Sequence, residues 1–296
     1  MDDISAAFDR LIERVAAWAG AREDIRAALI LGSRARADRP ADAWSDLDLV
    51  LFTTDPRRYI ASTDWLAEIG PHWAAFIEPE DDETEGSVLF DGALDVDFVP
   101  ILAEDPRGAW PANLHPDVIA ALGRGFRFIV DKDGYSEALK VISAPPAEPG
   151  PPSEARFLNA VNEFWYHCVW AAKKLRRGEV WAVRAGLDGA VRWHCLLPMI
   201  EWHAKTVHGW DYDTWHRGRF LEQWADPRVI QGLREASSQY DADDVRRALV
   251  ATMDLFRELA TEAAARMGYP YPTGADESVT KWVTACLAAC LAGPHV

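Results

Sequence analysis

The chain has 296 residues, 49% of them apolar and 26% charged, which is the balance of a globular protein with room for two domains. Its net charge of -16 argues against a nucleic acid as main partner, because such partners call for a basic patch or stripe. No apolar run is long enough to cross a bilayer. The acidic, amphipathic start MDDISAAFDRLIERVAAW is unlike a secretory signal, so a cytoplasmic protein with no membrane partner is expected, as a monomer or weak dimer. Four scattered cysteines, Cys168, Cys195, Cys286 and Cys290, show no Cys-x-x-Cys pair and read as small packing residues.

Along residues 4–19, Ile4, Ala7, Phe8, Leu11, Ile12, Val15 and Trp18 fall on one helical stripe. The run IRAALIL (25–31) ends at Gly32 and reads as a buried strand; after a polar loop containing Pro40, LDLVLFT (47–53) reads as another. WAAFIE (73–78), SVLFDG (87–92) and LDVDFVPIL (94–102) are strand-like, with Asp91-Gly92 as a hairpin turn. A helix near 115–123 and a strand at 126–130 complete a mixed α/β half. The stretch ISAPPAEPGPPSEA (142–155) holds five prolines, so 142–152 is expected to be a linker. Helical periodicity then fills 153–177, 179–208, 241–267 and 276–293, predicting an all-α bundle. Most of the 14 tryptophans are expected in the core, with one or two free to stack on a base.

The chemistry concentrates in LILGSRARADRPADAWSDLDLVLF, residues 29–52. Side chains alternate along a strand, so Asp46 and Asp48 project to one side while Leu47 and Leu49 face the other. Parallel anions at the mouth of a buried strand repel each other unless a cation lies between them. Short carboxylates offering only oxygen suit magnesium, whose shell water and substrate phosphate complete. Asp95 or Asp97 in LDVDFVP supplies a third carboxylate, the pattern of a site that clamps an in-line displacement at phosphorus. Gly32-Ser33, after a strand and at a helix start, offers backbone N–H groups and a hydroxyl to a phosphate, with Arg34 or Arg36 available to neutralise charge.

Through LGSRAR, SDLDLVLF and LDVDFVP the chain resembles the nucleotidyltransferases of the DNA polymerase beta type. The series GSRARAD, SDLDLVLF, LDVDFVPILAED, NEFWYHCVWAAKKLRRGE and GRFLEQW is similar to the aminoglycoside 6-adenylyltransferases, which modify streptomycin. That resemblance implies an N-terminal α/β nucleotidyltransferase domain (1–141) with a mixed sheet and flanking helices. A helical substrate-binding domain (153–296) follows it. It implies Mg2+ and ATP, transfer of AMP to the streptomycin 6-hydroxyl, and antibiotic resistance as the consequence. By motif, Gly32, Ser33 and Arg34 bind the nucleotide, and Asp46 and Asp48 bind metal. The third carboxylate, placed by its distance from Pro100, is Asp95, with Asp97 as the competing choice.

In the helical half, Glu163, His167, Trp170 and Lys174 share one face by spacing. The resemblance makes Glu163 a guanidinium-binding or deprotonating group, and Lys173 a contact to the ATP triphosphate. A cationic acceptor also suits the net charge. The alternative reading keeps the fold and changes the acceptor, to a protein of toxin–antitoxin type or to another cationic small molecule.

Overall fold

A computed structural model describes residues 2–36, 40–79, 84–106, 114, 116–140 and 150–291. The chain divides into two compact units, Met1–Ala147 and Glu148–Val296. Residues 142–149 of the expected linker lie outside the described residues.

The first unit opens with helix α1 (Asp2–Ala21) and strand β1 (Ile25–Ile30), then a 3-10 turn at Gly32–Arg34 and strand β2 (Leu47–Thr53). Helix α2 (Arg57–Ile60), a second 3-10 turn (Asp64–Glu68) and strands β3 (His72–Pro79), β4 (Thr84–Phe90) and β5 (Leu94–Leu102) follow. Helix α3 (Pro116–Gly123), strand β6 (Arg127–Asp131) and helix α4 (Tyr135–Leu139) end it. The described strands form one six-stranded sheet in the order β3-β4-β5-β2-β1-β6. Strands β2 and β5 run parallel and the other neighbours antiparallel.

Both faces of the central strands are covered, which is why β1 and β2 read as near-continuous apolar runs. On one face Ile25, Ile30, Leu47, Leu49 and Leu51 pack with Phe8, Leu11 and Val15 of α1 and with Trp65. The stripe foreseen in the sequence is therefore the buried face of α1. On the other face Leu29, Val50 and Phe52 meet Val118 and Leu122 of α3 and Tyr135. Tyr135 stacks on Phe52 at 5.2 Å between ring centroids. The β4–β5 hairpin turns over Asp91–Ala93, with φ of 88° at Gly92 and 59° at Ala93. That turn sets Phe90 opposite Leu94 and, counting back, Ser87 opposite Asp97.

The second unit comprises α5 (Glu154–Arg176), α6 (Val180–Gly186), a π-helical segment (Leu187–Leu196), α7 (Leu197–His208), α8 (Leu221–Trp224), α9 (Pro227–Glu235), α10 (Ala242–Met267) and α11 (Thr273–Leu291). Helix α5 starts at Ser153, whose side chain accepts from Arg156 N. It buries Phe157, Val161, Phe164, Trp165, Cys168 and Ala172, and Phe164 stacks on Phe256 of α10 at 3.7 Å. The helix expected over 179–208 changes pitch in its middle. Pro198 lacks the N–H that would meet the carbonyl of His194 and crowds that turn, and the wider π turns lie immediately before it.

Cys168 and Cys195 are buried and free, and burial pushes both thiols up, that of Cys195 to about 12. The tryptophans divide less simply than expected. Trp165 and Trp202 are core, but Trp44, Trp73, Trp181, Trp193 and Trp282 are exposed. Among the described residues no helix is long and apolar enough to cross a membrane.

Candidate active site

Asp46 immediately precedes β2 and Asp48 is its second residue. Because Leu47, Leu49 and Leu51 are committed to the α1 face, Asp46 and Asp48 take the opposite face, in line with Val50 and Phe52. Strand β5 lies parallel beside β2 in a register that pairs Asp48 with Asp97. One carboxylate oxygen each from Asp46, Asp48 and Asp97 lies within 4.8 Å of the others. All three residues are half-buried. Ser87 Oγ donates to Asp97 Oδ1 at 2.7 Å, fixing that carboxylate from the β4 side. Burial lifts the Asp97 carboxyl above its ordinary range, and the charges of Asp46 and Asp95 lift it further; the Ser87 bond opposes them.

Asp95, the third carboxylate expected from its distance to Pro100, stands outside this group. It faces the same way as Asp97 but pairs with Leu89, two residues nearer the hairpin, and it is exposed. The physical reason is the parallel register. Leu47 pairs with Val96 and Asp48 with Asp97, so Asp97 lies directly beside Asp48, whereas Asp95 lies beyond the β2–β5 pairing. Ser87 was not foreseen as a site residue. The Asp-Gly turn was the signal that could have found it, since the turn fixes the hairpin register.

The Gly-Ser turn sits directly against the carboxylates. Gly32 has φ +65°, and a Cβ there would meet Asp48 Oδ2 at 2.1 Å. Glycine is thus required twice over, by its left-handed backbone and by the close approach of Asp48. Leu31 N donates to the Asp48 carbonyl at 2.9 Å, binding the turn to β2. Ser33 Oγ is buried with no hydrogen-bond partner, which is costly unless a ligand supplies one. Arg34, expected at the nucleotide, has two nitrogens already engaged. Its Nε donates to the Asp46 carbonyl at 2.9 Å and its Nη2 to the Ser45 carbonyl at 2.6 Å.

Within the helical unit, Glu163 is half-buried on α5, its Oε1 4.0 Å from His167 Nε2. His167 meets Trp170 edge-on at 6.4 Å, so this face of α5 forms as its spacing foretold. Lys173 is exposed and its Nζ lies 5.7 Å from the Trp282 ring centroid, while Lys174 pairs with Glu179 at 2.6 Å.

The donor set suits a hard divalent cation: three oxygens from short, half-buried carboxylates beside a turn with an unsatisfied buried hydroxyl. Residues 7–286 match the streptomycin adenylyltransferase family model. The chain is 24% identical over 269 residues to an aminoglycoside 6-adenylyltransferase of Campylobacter jejuni, covering 88% of each. It is 24% identical over 265 residues to one of Bacillus subtilis, covering 88% of this chain and 90% of that one. A crystal structure of an aminoglycoside 6-adenyltransferase from Bacillus subtilis aligns with a TM-score of 0.45 at 20% identity, over 94% of this chain and 96% of that one.

Proposed function

The chain belongs to the streptomycin adenylyltransferase family, and from that membership we propose that it transfers AMP from MgATP to the 6-hydroxyl of streptomycin or a related aminoglycoside. It is thereby a nucleotidyltransferase. The observation that carries the reading is the convergence of Asp46, Asp48 and Asp97 beside Gly32-Ser33.

Asp46, Asp48 and Asp97 would hold the metal, and the Gly32-Ser33 turn would seat the triphosphate through backbone N–H groups and the Ser33 hydroxyl. When bound, magnesium supplies charge stabilisation for phosphate oxygens and for the leaving pyrophosphate. The acceptor oxygen attacks the α-phosphorus in line, and the bond from that phosphorus to the bridging oxygen breaks, releasing pyrophosphate. Asp95, or Glu163 as the family resemblance implies, would take the hydroxyl proton. Glu163 and the chain's net charge of -16 also suit a substrate carrying guanidinium groups. The same resemblance would make Lys173 a contact to the triphosphate.

A panel of aminoglycosides assayed for pyrophosphate release with MgATP tests this reading. Streptomycin-dependent release, with one AMP ester on the product, is the expected result. Release with none of the panel, or modification of a cognate protein instead, would remove the aminoglycoside assignment.

A further inference from the structure

We propose that Arg34 is a positioning residue that sets the divalent-metal affinity of the carboxylate group, by clamping the backbone from which Asp46 projects. The inference rests on the metal-site reading above and gives Arg34 a part through the backbone of Asp46, apart from the nucleotide contact that the resemblance implies. Asp46 stands just outside β2, so the sheet ladder does not by itself fix its backbone. Arg34 does so from the other end of the connection. Its guanidinium forks onto two successive carbonyls, Ser45 at 2.6 Å and Asp46 at 2.9 Å. Its other support is the Phe8 ring of α1, whose centroid lies 3.5 Å from the guanidinium carbon.

Arg34 closes the same 3-10 turn that carries Gly32 and Ser33. One side chain therefore ties the phosphate turn to the carboxylate that must face it. Ala41 N, which donates to the Ser33 carbonyl at 3.0 Å, ties the intervening loop to the same turn. Within that loop Asp42 Oδ1 accepts from Trp44 N at 2.9 Å and from Ser45 Oγ at 3.0 Å, so the segment Arg34 grips is itself braced. Lysine keeps the charge but has neither the two-pronged donor geometry nor the flat face that stacks on Phe8. Groups that orient metal ligands in this way typically change metal affinity by about 10–100-fold when lost.

The test is binding of Mn2+ to the full chain without nucleotide, followed by electron paramagnetic resonance of the free ion, for wild type, Asp48→Asn and Arg34→Lys. Wild type should bind, Asp48→Asn should not, and Arg34→Lys should bind about 10-fold more weakly. The Michaelis constant for ATP is measured beside it at saturating metal. Should Arg34→Lys fail to fold, Phe8→Leu keeps the arginine, removes its support, and should weaken Mn2+ binding in the same direction. Unchanged Mn2+ affinity in the folded variant overturns the proposal. A raised ATP constant with unchanged Mn2+ affinity overturns it too, and returns Arg34 to the nucleotide. Absence of Mn2+ binding by wild type would instead remove the metal site itself.

Discussion

At the scale of single residues, Ser33 is the sharpest probe of the proposed phosphate turn. Its hydroxyl is buried and unpartnered, so Ser33→Ala removes no bond from the protein as it stands. A hydroxyl that instead donates to a charged phosphate contributes about 1.5–3 kcal/mol. Ser33→Ala should therefore leave the melting temperature unchanged and raise the Michaelis constant for ATP by roughly 10-fold or more. A melting temperature lowered by several degrees with unchanged ATP kinetics would make the serine structural. Much of this site was legible from residue order alone. Strict alternation in SDLDLVLF placed both aspartates on one side, and they are on one side. The choice between Asp95 and Asp97 was not legible, because it depends on how β5 registers against β2, a strand from which it is separated by β3 and β4. Nothing local encodes that pairing. Arg34 was legible as a cation near the turn, but its partners are backbone carbonyls, which leave no mark on residue type.

At the scale of elements, the runs that are apolar on both faces identified β1 and β2, and the Asp-Gly turn identified the β4–β5 hairpin. The π segment was missed because a periodic stripe survives a modest change of pitch, although Pro198 falls inside the helix expected over 179–208. One interaction joining three helices carries a pH signature. Glu262 of α10 accepts from His203 Nε2 of α7 at 2.9 Å, and from Arg228 of α9 at 3.3 Å. The bond from His203, followed by those from Arg228, lowers the Glu262 carboxyl to about 2. A carboxylate depressed in the folded state adds stability above its unfolded value and loses it as pH falls through its folded value. The contribution is therefore full above about pH 4.5 and fades toward about pH 2. Glu262→Gln should lower the melting temperature near neutral pH, and the gap to wild type should close as the pH drops through that window. A gap independent of pH would assign the loss to packing.

At the scale of the whole molecule, the net charge of -16 has a direction to it. A negative field favours approach of a polycationic acceptor and opposes approach of free triphosphate, and salt screens both effects. Raising ionic strength should therefore lower kcat/KM for streptomycin, and lower it less for an acceptor carrying fewer positive charges. Equal salt dependence across acceptors would leave the surface charge without a part in recognition. The centre of the account is the three carboxylates of the sheet, and Asp48 is the member that pairs with Asp97 and crowds Gly32. The most direct measurement is the rate of pyrophosphate release from MgATP and streptomycin by Asp48→Asn, with its fold verified by circular dichroism. The account predicts a loss of about 100-fold or more; turnover near that of wild type would contradict it.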